Sequence, residues 1–307
     1  MARTFRSIQV LRAIAATAVV VDHADRARNL SGLADIGAAG VDLFFVISGF
    51  IMASILSDRT ATRFLIGRAR RIFPLWFIAL TPWLLIRHND SAALLTSLTL
   101  WPVWGAHFSM PALGVGWSLC FEMLFYVAFA ISLATRAAIP LALFALALIL
   151  TPVTGSVIVG YVGSPIIFEF LAGVLIARLP IREGLGLPLL AIGLLWLFLA
   201  PTDYRSIVLG HAAYYRIAAW GVPAALIVYS ALCLEGRFGK RFDIPVLLGD
   251  ASYSIYLFHP LVALLEPAFL PAVALSLGVG VLIHLTIERR LMRFRLSRQE
   301  PVTLPVC

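Results

Sequence analysis

Apolar stretches long enough to cross a bilayer dominate this sequence. Ten can be drawn, each about 15–21 residues, at 7–23, 39–57, 70–87, 117–135, 138–153, 164–179, 186–200, 214–234, 246–266 and 270–288. A hydrocarbon core needs roughly 20 helical residues to span it. Inside it the backbone must satisfy its own hydrogen bonds, which favours helices. The expected fold is therefore all-α, a polytopic membrane protein of about ten transmembrane helices; eight or nine spans is the alternative. Composition agrees: 13% of residues are charged and 61% hydrophobic, whereas soluble domains carry about 25% charged residues. No polar stretch is long enough for a second core, so residues 1–295 read as one membrane domain and 296–307 as a short tail. Residues 92–104, with Trp101 and Trp104, read as an interfacial segment. The first apolar run ends in Asp22-His23-Ala24-Asp25 rather than at a small-residue cleavage site. It reads as a retained span, not a signal peptide.

The net charge of +8 would suggest nucleic acid in a soluble protein. Here the arginines sit in short loops between apolar runs and read as topology signals, so no nucleic-acid partner is expected. With the N-terminus in the cytoplasm, only Arg26, Arg28, Arg87, Arg205 and Arg216 of the 24 Lys and Arg fall on the far side. That asymmetry follows the positive-inside rule and puts both termini in the cytoplasm. Cys120, Cys233 and Cys307 are scattered without metal-ligand spacing, so neither a disulfide framework nor a metal site is expected.

Against this oily background stand His23, Asp42, Glu122, Glu169 and His259. An ionisable group in hydrocarbon costs a few kcal/mol or more unless it has a partner or faces a water-filled cavity. Counting residues along each span puts all five at outer-half depth, which predicts one shared, outward-facing polar chamber. Arg12 lies deeper, roughly 16 Å below His23 on a helix. Arg68, Arg70 and Arg71 are expected to enter the third span just before Pro74. Arginine presents a fixed fork of donors suited to phosphate oxygens. A cytoplasmic polyphosphate site linked to an outer acid-base site would use both groups.

Five blocks carry a family resemblance. They are Ser7 through His23, Gly40-Val-Asp-Leu-Phe-Phe-Val-Ile-Ser-Gly-Phe50, Arg68-Ala-Arg-Arg-Ile-Phe-Pro74, Trp117-Ser-Leu-Cys-Phe-Glu122 with Phe125 and Tyr126, and Ser252-Tyr-Ser-Ile-Tyr-Leu-Phe-His259-Pro260. In this order the chain resembles the acyltransferase-3 family of integral membrane acyltransferases, above all its exopolysaccharide-production branch. The resemblance implies transfer of an acyl group, usually acetyl, from cytoplasmic acyl-CoA to a hydroxyl on an extracytoplasmic or lipid-linked glycan. It implies residence in a bacterial inner membrane, among lipid. By the same carry-over His23 is the essential histidine and Arg12 its partner in the first span. Arg68 and Arg71 form the pair associated with the CoA donor, and Glu122 is the acidic residue of its block. Asp22 departs from the family, whose members often have an apolar or aromatic residue there.

O-acylation needs a base for the hydroxyl proton, and histidine's unperturbed pKa of about 6.5 suits that task. His23 is expected to be the general base or a transient acyl carrier, with Glu122 orienting its ring. Asp42, Trp117 and His259 are expected on the substrate side. Asp42 would hold an Arg or His partner or mark a helix start. Ser48 reads as a helix-packing residue, since no G-x-S-x-G element is present. Glu169 lies outside every block. His88, Asp90, His107 and His211 read as surface residues, and His284 as structural. The competing classes are a transporter or flippase for a glycan or lipid-linked sugar, and a scaffold for polysaccharide assembly. Acceptor sugar and homo-oligomerisation are left open.

Overall fold

The computed structural model describes residues 5–27, 35–55, 60–104, 107–136, 156–201, 208–210, 212–266 and 268–296, with isolated positions at 138, 142, 143, 146, 149, 150 and 203. Arg3, Arg28, Arg59, Arg205, His211, Arg298, Cys307, most of the fifth expected span and the tail beyond Leu296 lie outside that set. Among the described residues every regular element is helical. In chain order they are α1 (Arg6–Arg26), α2 (Gly40–Ile55), α3 (Ala61–Ile86), α4 (Ser91–Thr99), α5 (Trp117–Thr135), α6 (Val157–Val162), α7 (Ile167–Ile176), α8 (Gly186–Leu199), α9 (Ala212–Cys233), α10 (Asp243–Asp250), α11 (Ser252–Leu265) and α12 (Phe269–Ile283). α12 continues through a π-turn, His284–Glu288, into Arg289–Leu296.

Seven of the described helices are long and apolar enough to cross a membrane, or eight if the bent pair Lys240–Asp250 and Ser252–Leu265 is one span. The fourth expected span is reproduced residue for residue by α5. The third begins earlier than expected. Thr60 caps α3 by accepting from the Arg63 amide at 3.4 Å, so Arg68, Arg70 and Arg71 are carried within the helix rather than at its entrance. The sixth starts earlier than expected, since α6 precedes α7 within one candidate span, Val157–Ile176, and the ninth bends by 59° between α10 and α11. The interfacial segment forms the short helix α4, capped by Asp90, whose Oδ1 accepts from the Ala93 amide at 2.6 Å. His88, Asp90 and His107 are exposed, as expected of surface residues.

α1 is the hub of the bundle and packs on α2, α9, α10, α11 and α12. Its N-terminal amides would be orphaned in an apolar setting, and Phe5 offers no side-chain cap. A distant carboxylate does the work: Glu235 accepts from the Arg6 amide at 2.8 Å and the Ser7 amide at 2.9 Å. A negative charge at a helix N-terminus also opposes the positive end of the helix dipole. The Arg6 side chain completes the anchor through the Phe238 carbonyl at 2.9 Å and an ion pair with Asp243.

Small residues set the closest helix approaches. A Cβ added to Gly49 on α2 would run into the Phe170 backbone, and one on Gly173 of α7 into the Val46 backbone. This is the close backbone packing that membrane helices use where lipid offers no hydrophobic drive to associate. Elsewhere the bundle is filled by aromatic rings: Phe125 stacks on Phe170 at 4.3 Å, and Trp76 donates its indole N–H to the Ser97 carbonyl at 2.8 Å. Leu85, Phe198, Leu265 and Leu270 remain exposed on the outside, where a membrane would meet them.

Candidate active site

Five helices line a partly open cavity of about 100 Å³. α1 supplies Arg12, α2 Phe44 and Ser48, α3 Arg68 and Arg71, α5 Ser118 and Glu122, and α11 Tyr253 and Tyr256. Glu122 accepts hydrogen bonds from Ser48 Oγ at 2.8 Å and from the Tyr126 hydroxyl. The Arg68 guanidinium lies over the rings of Phe64 and Tyr126, 5.6 and 5.7 Å from their centroids. Such stacking orients a guanidinium and leaves its N–H fork for an anion. Arg12 donates to Gln9 Oε1 at 3.1 Å and faces Arg71, Asp250, Glu288 and Glu122. Three guanidiniums against one lining carboxylate give this wall a positive balance. Glu288 is tied up behind it, accepting from Ser254 Oγ and His284 Nδ1, each at 2.7 Å. That contact gives His284 the structural role expected of it.

His23 lies at the other end of α1. Eleven residues separate it from Arg12, close to three full turns, so both project from one face roughly 16 Å apart. His23 Nδ1 is 2.9 Å from the Val19 carbonyl. A carbonyl can only accept, so in the neutral ring Nδ1 carries the proton and Nε2 keeps its lone pair. His259 repeats the arrangement, with Nδ1 3.2 Å from the Ile255 carbonyl. The two rings meet edge to face with centroids 4.8 Å apart. The His23 side chain is 34% exposed, whereas His259 is buried, so His23 is the more accessible member of the pair. Asp22 Oδ2 lies 3.5 Å from His23 Nδ1 and is ion-paired to Arg26 one turn later. The i, i+4 spacing of Asp22 and Arg26 was a readable sign of that pairing.

A third cluster is closed on itself. Arg216 grips Asp42 with two bonds, Nε to Oδ1 at 3.0 Å and Nη2 to Oδ2 at 2.7 Å, and both residues are fully buried. The guanidinium sits over the rings of Trp117 and Trp220 at 5.5 and 5.1 Å. Glu169 stands beside Asp42, with its carboxyl against Gly221 in the π-turn Ile217–Gly221 of α9. π-turns inside helices often mark such sites.

A family model described as an acyltransferase domain (acyltransferase 3) matches residues 5–287. The chain belongs to the acyltransferase-3 family. It is 35% identical over 301 residues to the exopolysaccharide production protein ExoZ of Rhizobium meliloti (strain 1021), covering 84% of this chain and 90% of that relative. No solved structure matches it.

For this acyltransferase-3 chain several sequence expectations need correction. The five titratable residues do not share one chamber. They divide among the arginine-lined cavity (Glu122), the imidazole pair (His23 and His259) and the closed cluster (Asp42 and Glu169). Glu122 bonds Ser48 and Tyr126, and among the described residues no hydrogen bond or ion pair joins it to His23. Glu122 instead shares the cavity with Arg12, Arg68 and Arg71, and the stretch that leads into α5 is itself packed in the bundle: Ala112, Leu113 and Val115 are buried and Gly116 abuts the Trp76 ring. Finally, Asp42 and Trp117 face Arg216 rather than the cavity. Arg216 itself, assigned from sequence to a far-side topology role, is a buried partner. Both readings of Asp42 describe what is seen: it holds Arg216 and stands in the first turn of α2. Ser48, read as a packing residue, lines the cavity and bonds its carboxylate. Among the described residues no group of three or more His, Cys, Asp and Glu could hold a metal ion.

Proposed function

We propose that this acyltransferase moves an acetyl group from acetyl-CoA, entering at the arginine-lined cavity, to a hydroxyl of a glycan or lipid-linked saccharide at the His23 end. Exopolysaccharide production, named in the relative from Rhizobium meliloti, is the process it would serve. The observation that carries this reading is the placement of both stations on one face of α1. Arg12, Arg68 and Arg71 offer charge-assisted donors to the phosphates of coenzyme A. The gap from Arg12 to His23 suits an extended pantetheine arm, which would bring the thioester towards the imidazole.

His23 Nε2 then takes the proton of the acceptor hydroxyl as its oxygen attacks the thioester carbonyl. The C–O bond forms, the C–S bond breaks, and the thiolate leaves to be protonated. Val19 fixes the tautomer this requires, and Asp22 lies where it would favour the imidazolium. Glu122 would serve the donor side, holding Ser48 and Tyr126 in the cavity wall. His259 would serve the acceptor end through its contact with His23. Coenzyme A enters as substrate; no resident cofactor or metal is invoked. We further propose ten spans, with 138–153 and α8 added to the eight above, in a bacterial inner membrane. Residues 1–295 would act as one domain, with the arginine end and both termini cytoplasmic.

The test is purified protein given isotope-labelled acetyl-CoA and deacetylated polysaccharide from the producing cells. Label should enter the glycan, and His23→Ala should reduce the rate by roughly 10²–10⁴-fold at unchanged membrane insertion. Full activity in His23→Ala would remove it from the chemistry. Glycan movement without incorporation would return the transporter reading. Impermeant thiol reagents applied from outside should label a single cysteine at Asp25 and spare one at Arg289. The reverse pattern would invert the orientation.

A further inference from the structure

α1 and α11 climb side by side, and their contacts give a scale of height. Gly249, just before α11, lies against the Gln9 backbone. Ile255 packs with Ala16 and Val20, and His259 meets His23. Phe44 joins the level of Ala16, Val20 and Ile255, and Tyr256 is one residue further on. Both rings line the cavity, above Arg12 and below the imidazole pair. Their centroids are 6.2 Å apart with planes at 67°, and Tyr256 in turn lies 5.9 Å from His259.

We infer that Phe44 and Tyr256 form a bottleneck between the donor cavity and His23 that restricts the transferred group to a short acyl chain such as acetyl. The inference rests on the acyl-CoA reading above and specifies its donor. Tyr256 is not free to swing aside. Its hydroxyl donates to the Val115 carbonyl at 2.9 Å and is 2.7 Å from Ser118 Oγ. Phe44 is backed by Ala16, Val20, Ala251 and Ile255. The cavity that the pair lines has a volume of about 100 Å³, and each added methylene of a longer acyl chain would have to pass between the two rings. Overfilling a packed site is costly, and one methylene commonly changes discrimination by about 10–200-fold.

The experiment compares kcat/KM for acetyl-CoA and butanoyl-CoA, with deacetylated polysaccharide as acceptor. The wild-type protein should prefer acetyl by at least about tenfold. Phe44→Ala should cut that preference by about tenfold or more, and Phe44→Leu by less. Tyr256→Phe keeps the ring but releases both hydroxyl contacts, and should also narrow the preference. It supplies the answer if Phe44→Ala does not accumulate in membranes. Equal use of both donors by the wild type overturns the bottleneck alone, as does an unchanged preference in the folded variants. A wild type that transfers neither group overturns the acyl-transfer reading, and the bottleneck with it.

Discussion

Arginine occurs inside the bundle in two settings, and they behave differently. Arg216 has both Asp42 oxygens in a bidentate grip and an indole ring on either side. Arg12, Arg68 and Arg71 stand around a void with few direct partners: the Arg12 guanidinium bonds only Gln9 among the described residues, and Arg68 rests on aromatic faces. A saturated charge binds the bundle to itself, whereas an under-partnered one beside a cavity is suited to an incoming anion. Arg12 and Arg216 are both buried, and it is their partners that separate them.

That contrast can be broken by substitution. Arg216→Ala strands the Asp42 carboxylate in the interior and should cost about 3–5 kcal/mol, read as a large fall in thermal midpoint in detergent. Asp42→Ala with Arg216→Ala should recover part of the loss, because no charge is then left unpaired. If the single substitution barely moves the midpoint, Arg216 is not the structural arginine described here. Arg68→Ala with Arg71→Ala should have a smaller and different effect. Losing charged hydrogen bonds of about 1.5–3 kcal/mol each should raise the KM for acetyl-CoA by at least about tenfold, with a modest change in midpoint. An unchanged KM would leave those two residues as topology signals only.

Much of this arrangement was legible in the chain. All five blocks that carry the family resemblance contribute a cavity-lining residue: Arg12, Ser48, Arg68 and Arg71, Glu122, and Tyr256. α5 was read to the residue because its apolar run is broken only by Glu122 and ends at Arg136. α3 was clipped by nine residues because a hydropathy reading stops at charge, whereas Arg68 and Arg71 turn towards a polar cavity and cost the helix little. Glu122 was grouped with His23 rather than with Arg12, Arg68 and Arg71 because residue counting assumes that every span starts at the same level. The buried loop before Trp117 breaks that assumption. Arg216 was misassigned for a related reason: an arginine near a span end looks like an orientation signal unless its carboxylate partner, 174 positions away, is known.

The clamp of Glu235, Phe238 and Asp243 on the start of α1 has one more consequence. Because a single anchored rod carries both Arg12 and His23, no sliding of neighbouring helices can shorten the interval between them. On the proposed reading, the carrier arm would have to fit a ruler written in the primary structure. One residue inserted between the two marks would lengthen that ruler by only about 1.5 Å, yet turn the imidazole about 100° away from the donor's approach.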